Sequence, residues 1–153
     1  MERLTGWEAR GLLAALEDEH RAWATYDQVI RDFGPIRPFV NIRESEARHI
    51  NALHGLCRRY GIAIPTNPWI GKAERYASIA AACKAGVDAE IENAALYDRL
   101  FASTKRRDIL SVYSRLREAS EQRHLPAFRR CVSRGCTPSG GARRARRGWK
   151  ADE

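Results

Sequence analysis

"SEARH" at 45–49 and "SEQRH" at 120–124 write Ser-Glu-x-Arg-His twice in one chain. On an α-helix, residues three apart differ by about 60° in azimuth and ~4.5 Å in height. Glu46 and His49 therefore share a face, and so do Glu121 and His124. A carboxylate and an imidazole placed this way can grip one metal ion or lie beside two. A second repeat accompanies the first: Glu19 precedes Tyr26-Asp27, and Glu90 precedes Tyr97-Asp98, at the same spacing. Seven residues make almost two turns, so each tyrosine lies on the stripe of its glutamate, ~10 Å along. The chain thus reads as two copies of one helical hairpin, each ordered Glu-x6-Tyr and then Glu-x-x-His.

Helix signals divide the chain accordingly. Thr5 with Glu8 three residues on is a capping box that starts a first helix, and Gly34-Pro35 closes that helix. Pro38 suits the first turn of a second helix, which Gly61 ends. The stretch 61–75, GIAIPTNPWIGKAER, holds two prolines and two glycines and reads as a connector. A third helix is predicted from about Tyr76 to Ser103 and a fourth from about Asp108 to Gly135. Apolar residues recur at steps of three and four: Leu12, Leu16, Glu19, Trp23, Tyr26 in the first, and Ile42, Glu46, His49, Leu53, Leu56 in the second. The third runs Cys83, Gly86, Glu90, Asn93, Tyr97. The fourth is less regular, from Tyr113 and Leu116 to Glu121, His124, Phe128 and Cys131. This is the seam of an all-α four-helix bundle. Each seam carries a glutamate near its middle, where an unpaired carboxylate is expensive.

Composition narrows the class. With 153 residues, 44% hydrophobic and 30% charged, the chain suits one domain with a core of its own. No run reaches the ~18 apolar residues of a membrane span. The opening MERLTGWEARG has neither the apolar core nor the cleavage site of a secretory signal, so a cytoplasmic location is expected. The four cysteines form no CxxC pair, which argues against a zinc ribbon or rubredoxin-type iron centre. Cys57 and Cys83 read as core thiols, while Cys131 and Cys136 flank a helix end where a reversible disulfide could form. Of the net charge of +8, part lies in residues 137–153, with five cationic side chains against two acidic ones. That segment reads as a disordered basic tail after a bundle of residues 1–136; it could touch nucleic acid, but a solvated tail is the simpler reading.

At the six positions Glu19, Glu46, His49, Glu90, Glu121 and His124 the sequence resembles the ferritin-like di-metal carboxylate superfamily, which places one Glu on each of two helices and Glu-x-x-His on each of the others. The likeness spans about residues 7–135. Finer wording, "NIRESEARHINAL" (41–53) and "ASEQRHLPAF" (119–128), is similar to a bacterial ferritin-like family known only as a domain of unknown function. The resemblance implies two iron (or manganese) ions. It makes Glu46 and Glu121 bridging ligands, His49 and His124 one nitrogen ligand per ion, and Glu19 and Glu90 terminal carboxylates. Tyr26 and Tyr97 would stand behind the ligands, in a packing role rather than a radical one.

Glu17, Glu44 and Glu92 fall on the outward face, and Glu118 is read as exposed. His20 and His54 fall off the seam and read as surface or boundary residues. Pro126, inside the fourth helix, should kink it just past His124. The expected function is dioxygen or peroxide reduction coupled to metal oxidation, with electrons from an external donor. Two alternatives are a non-enzymatic metal-binding or storage protein and a helical interaction module with a structural metal. A homodimer fits the first reading, and a large closed oligomer would fit storage.

Overall fold

The computed structural model describes residues 2–135, and among them there is helix but no strand. Helix α1 spans Gly6–Phe33, α2 Phe39–Arg59 and α3 Ile79–Leu100; α4 covers Arg107–Ala119 and runs through a π turn, Ser120–His124, into α5, Leu125–Gly135. Because α4 and α5 form one continuous rod, the architecture is a four-helix bundle of two hairpins. The expected basic tail lies outside the described residues, and the bridge considered between Cys131 and Cys136 is replaced by one from Cys131 to Cys83.

Local chemistry sets the ends. The Glu8 backbone N–H donates to Thr5 Oγ1 at 3.1 Å, and the Thr5 N–H donates to Glu8 Oε1 at 2.9 Å, so both halves of the capping box form. Gly34 closes α1 at φ 95°, a conformation that a side chain would strain. Ser78 caps α3 by accepting from the Ala81 N–H. The connector is longer than expected at its far end, since α3 begins at Ile79 rather than near Tyr76.

The core falls into two apolar clusters. One gathers Leu12, Leu16, Leu53, Tyr97, Ile109, Tyr113 and Leu116; the other gathers Tyr26, Phe39, Ile42, Cys83 and Phe128. Residues 19, 46, 49, 90 and 124 fall between these clusters along every helix, so a polar layer interrupts the core at mid-bundle.

In the second cluster α3 and α5 approach closely. Cys83 is not the free core thiol that the sequence suggested: it forms a disulfide with Cys131, with Cα atoms 6.0 Å apart. Both cysteines face inward where Gly86 lets the Phe128 ring lie against the α3 backbone. Cys57 is buried and free, as expected. A Cβ at Gly86 would stand 2.7–2.8 Å from ring atoms of the fully buried Phe128, which cannot swing aside. Gly86→Ala is therefore expected to destabilise by about 1–3 kcal/mol through overpacking. Gly55→Ala, on an exposed face of α2 with nothing within 4 Å, should instead stabilise by roughly 0.5–1 kcal/mol through helix propensity. Urea unfolding of the pair checks both signs.

Candidate metal centre

Each helix brings its inward residue to mid-bundle. Glu19 from α1, Glu46 and His49 from α2, Glu90 from α3 and His124 from the π turn are all buried, with Glu19 fully so. They form two triads, Glu19–Glu46–His49 and Glu46–Glu90–His124, each with ligand-type atoms within 4.8 Å of one another. Glu46 belongs to both. Its Oε2 lies 3.6 Å from His49 Nδ1 and its Oε1 3.0 Å from His124 Nδ1. His124 Nδ1 is also 3.0 Å from Glu90 Oε1, and His49 Nδ1 is 3.5 Å from Glu19 Oε2. The two imidazoles stack with centroids 5.5 Å apart.

The tyrosines cross between hairpins. Tyr26 of α1 donates to Glu90 Oε2 at 2.6 Å, and Tyr97 of α3 donates to Glu19 Oε1 at 2.7 Å. Each hydroxyl holds the carboxylate of the opposite repeat. Burial, and the facing carboxylates after it, push both phenols well above their ordinary range, so they stay protonated donors.

The fourth expected carboxylate is not among these groups. Glu121 points outward: its side chain is 39% exposed and pairs with Arg117 at 2.8 Å, one turn back on α4. The cause is the π turn. Pro126 has no N–H to offer the Gln122 carbonyl, and the Leu125 N–H bonds back to Ser120 O in a five-residue step. The departure from α geometry falls at Ser120–His124, before the place just past His124 where a kink was expected. The widened turn places Ser120 and His124 on the inward face and turns Glu121 away. Ser120 Oγ instead donates to Glu90 Oε1 at 2.9 Å and lies 3.0 Å from the Glu90 carbonyl. Ser45 Oγ sits 2.9 Å from His124 Nε2 and 3.4 Å from His49 Nε2, fixing the far side of both rings.

The serines were missed in the sequence, although the first letter of each SExRH repeat names them. A second signal was the step of five from Leu116 to Glu121. Leu116, Ser120, His124, Phe128 and Cys131 keep steps of three and four, and all five are buried. Glu17, Glu44, Glu92 and Glu118 are exposed, as expected. His20 departs from its expected surface or boundary place: it is 4% exposed and packs its ring against His54 at 6.1 Å. Burial holds both imidazoles below their ordinary pKa.

The charges at mid-bundle are strongly linked. Burial, then the facing Glu46 carboxylate, raises Glu19 to about 7. Burial acts upward on Glu46 as well, but hydrogen bonds from Glu19, His124 and His49 outweigh it and hold Glu46 anionic. Burial alone would lower both histidines; the surrounding carboxylates prevail, raising His49 to about 10 and His124 to about 9.

At the first triad, Glu19 Oε2 and His49 Nδ1 are buried without a hydrogen-bond partner and face each other. They lie 3.5 Å apart, too far for a good hydrogen bond, and neither has another hydrogen-bond partner. A cation between them would satisfy both, and the mixed oxygen/nitrogen donors suit iron, manganese or zinc. The residues present therefore fit a metal.

A helical bundle with two carboxylate–imidazole triads sharing one glutamate defines the class: an all-α protein with buried groups able to hold metal. The chain belongs to the family described as "Uncharacterized protein domain (DUF2202)", which it matches over residues 8–138. It is similar to the crystal structure of a hypothetical protein from Methanococcus jannaschii DSM 2661, at 26% identity and a TM-score of 0.77, over 87% of this chain and 83% of that one. Among curated proteins none matches. No helix among the described residues is long and apolar enough to cross a membrane.

Proposed function

We propose that the chain is a ferritin-like dinuclear carboxylate protein that uses iron or manganese to reduce dioxygen or peroxide, with electrons from an external donor. The observation that carries this reading is the sharing of Glu46 between two triads, one with an orphaned carboxylate oxygen and an orphaned imidazole nitrogen. Two redox-active ions held there would supply the electrons for oxygen reduction.

The chain's own part is positioning and charge. Glu46 would bridge, Glu19 and His49 would hold one ion, and Glu90 and His124 the other. Tyr97, Tyr26 and Ser120 fix the carboxylates that they bond, and Ser45 fixes the His124 ring. Three protein residues per ion leave positions open for a small oxygen species. Three carboxylates would fall one short of neutralising two divalent ions, and an anion would have to make up the difference. Binding must displace the protons on His49, His124 and Glu19, so uptake releases protons. The Cys83–Cys131 bridge bears on location, because disulfides persist mainly in oxidising compartments; a cytoplasmic site of action goes with that pair reduced.

Elemental analysis of aerobically purified protein should find about two iron or manganese ions per chain, and ferrous ion added to metal-free protein should oxidise faster than in buffer. Glu44→Ala, on the exposed face of α2, should leave both results unchanged. Replete protein with one ion or none would sink the dinuclear reading.

A further inference from the structure

A cavity of about 430 Å³ opens between α1, α3 and the connector, and the buried residues Glu90 and Tyr26 are among those that line it. It reaches the polar layer from outside, and its makeup differs from the rest of the molecule. The chain carries a net charge of +8, yet five carboxylates line this space against only Arg21 and Lys72. Small side chains at Ala22, Ala85 and Ala89 leave the room, and Trp69 and Tyr76 of the connector form the far wall. The connector is fastened there: the Asn67 side chain donates to the His20 carbonyl at 2.9 Å, and the Arg75 guanidinium grips Asp32 at 2.7 Å.

Asp88 and Glu92 stand exposed at the rim, Asp18 is half-buried, and Glu90 is innermost. Asn93 ties the layers together. Its Nδ2 bonds the Asp18 carboxylate and lies 3.4 Å from Glu19 Oε1, so Asp18 stands one residue outside the triads.

We infer that this cavity is the port through which hydrated divalent cations reach the buried triads, with Asp88, Glu92 and Asp18 drawing them inward to Glu90. The inference rests on the dinuclear reading above. A graded row of carboxylates between low-dielectric walls focuses potential and raises the local cation concentration against an otherwise repulsive surface. An anionic ligand would meet five acidic residues against two basic ones. The volume holds a hydrated ion with room to shed water as carboxylates replace it.

The test measures uptake of cobalt(II) by metal-free full-length protein, with stopped-flow absorbance for the rate and elemental analysis for the final count. Asp88→Lys with Glu92→Lys should slow uptake about tenfold or more at low salt, by an amount that shrinks as salt rises, with the final count unchanged. Glu17→Lys with Glu118→Lys makes the same change of net charge on exposed positions away from the cavity, and should alter the rate little. Ala89→Phe, which fills the space, should slow uptake at every salt concentration. Equal rates in wild type, the rim variant and Ala89→Phe would overturn the port while leaving the metal site standing. Wild-type protein that takes up no cobalt at all would overturn the dinuclear reading itself.

Discussion

Glu46→Ala is expected to empty both triads at once, taking metal content from about two ions per chain to nearly none and ferrous oxidation down to the rate in buffer. Glu46 alone belongs to both groups of donors, so its loss leaves each with one carboxylate and one imidazole. Two donors per ion compete poorly with water and buffer. Glu121→Ala tests the opposite case. The repeated motif gives Glu46 and Glu121 the same role, whereas the π turn sends Glu121 to Arg117 on the surface. The Glu121 variant should therefore keep its metal and its rate, losing only an exposed ion pair with a worth of about 0.2–1 kcal/mol. Elemental analysis and an oxidation assay on the two variants decide the matter. Metal loss in Glu121→Ala would show that the turn refolds to bring that carboxylate inward.

The second large effect is a reversal of pH dependence by metal. In metal-free protein His49 is raised to about 10 and His124 to about 9 from 6.5 by their carboxylate partners. The stabilisation from these imidazolium pairs is complete below about pH 6.5 and is lost as pH rises through 9 to 10. Glu19, raised by burial from 4.5 to about 7, adds to this trend. Between those values the folded chain keeps a proton that the unfolded chain has released, so stability falls with rising pH there as well. Metal-free protein should thus lose stability overall from about pH 5 to 10, with His20 and His54, held below their ordinary pKa, acting the other way below about pH 6.5. Metal competes with the same protons, so its stabilising effect should grow as pH rises. A hundredfold excess of metal over its dissociation constant stabilises by ~2.7 kcal/mol, a melting shift on the order of 5–10 °C at this chain length. Melting curves at pH 5.5 and 8, with and without metal, measure both slopes. A metal-induced shift of the same size at both values would mean that Glu19, His49 and His124 are not the ligands. His20→Ala, at a ring that packs against His54 and belongs to neither triad, should leave the shift unchanged.

How far the sequence could be read depended on the periodicity of each helix. In α1, α2 and α3 the spacing of three and four is unbroken, so Glu19, Glu46, His49 and Glu90 were assigned to the inward face and are buried there. The capping box and Gly34 marked the limits of α1. In the fourth rod Glu121 was chosen for its ExxH match to His124, against the step of four from Leu116 that falls on the buried Ser120, and its side chain pairs with Arg117 instead. The Cys83–Cys131 pairing was equally hidden: each cysteine fits an apolar seam, and no local signal says which two seams will touch.

By itself, then, the sequence determined four amphipathic helices, two repeated hairpins and five of the residues that meet at mid-bundle, because local hydrogen bonding and 3.6-residue periodicity are properties of neighbours along the chain. The tertiary structure alone decided which atoms face one another. It crossed Tyr26 to Glu90 and Tyr97 to Glu19, set Ser45 against His124, replaced Glu121 by Ser120, and left an acidic cavity beneath the connector. These contacts join residues far apart in the chain, and their geometry is fixed only when the helices pack at particular rotations and depths. A glycine at 86 that lets Phe128 approach changes those rotations without leaving any periodic trace in the sequence, whereas the turn before Pro126 left one, the step of five from Leu116 to Glu121.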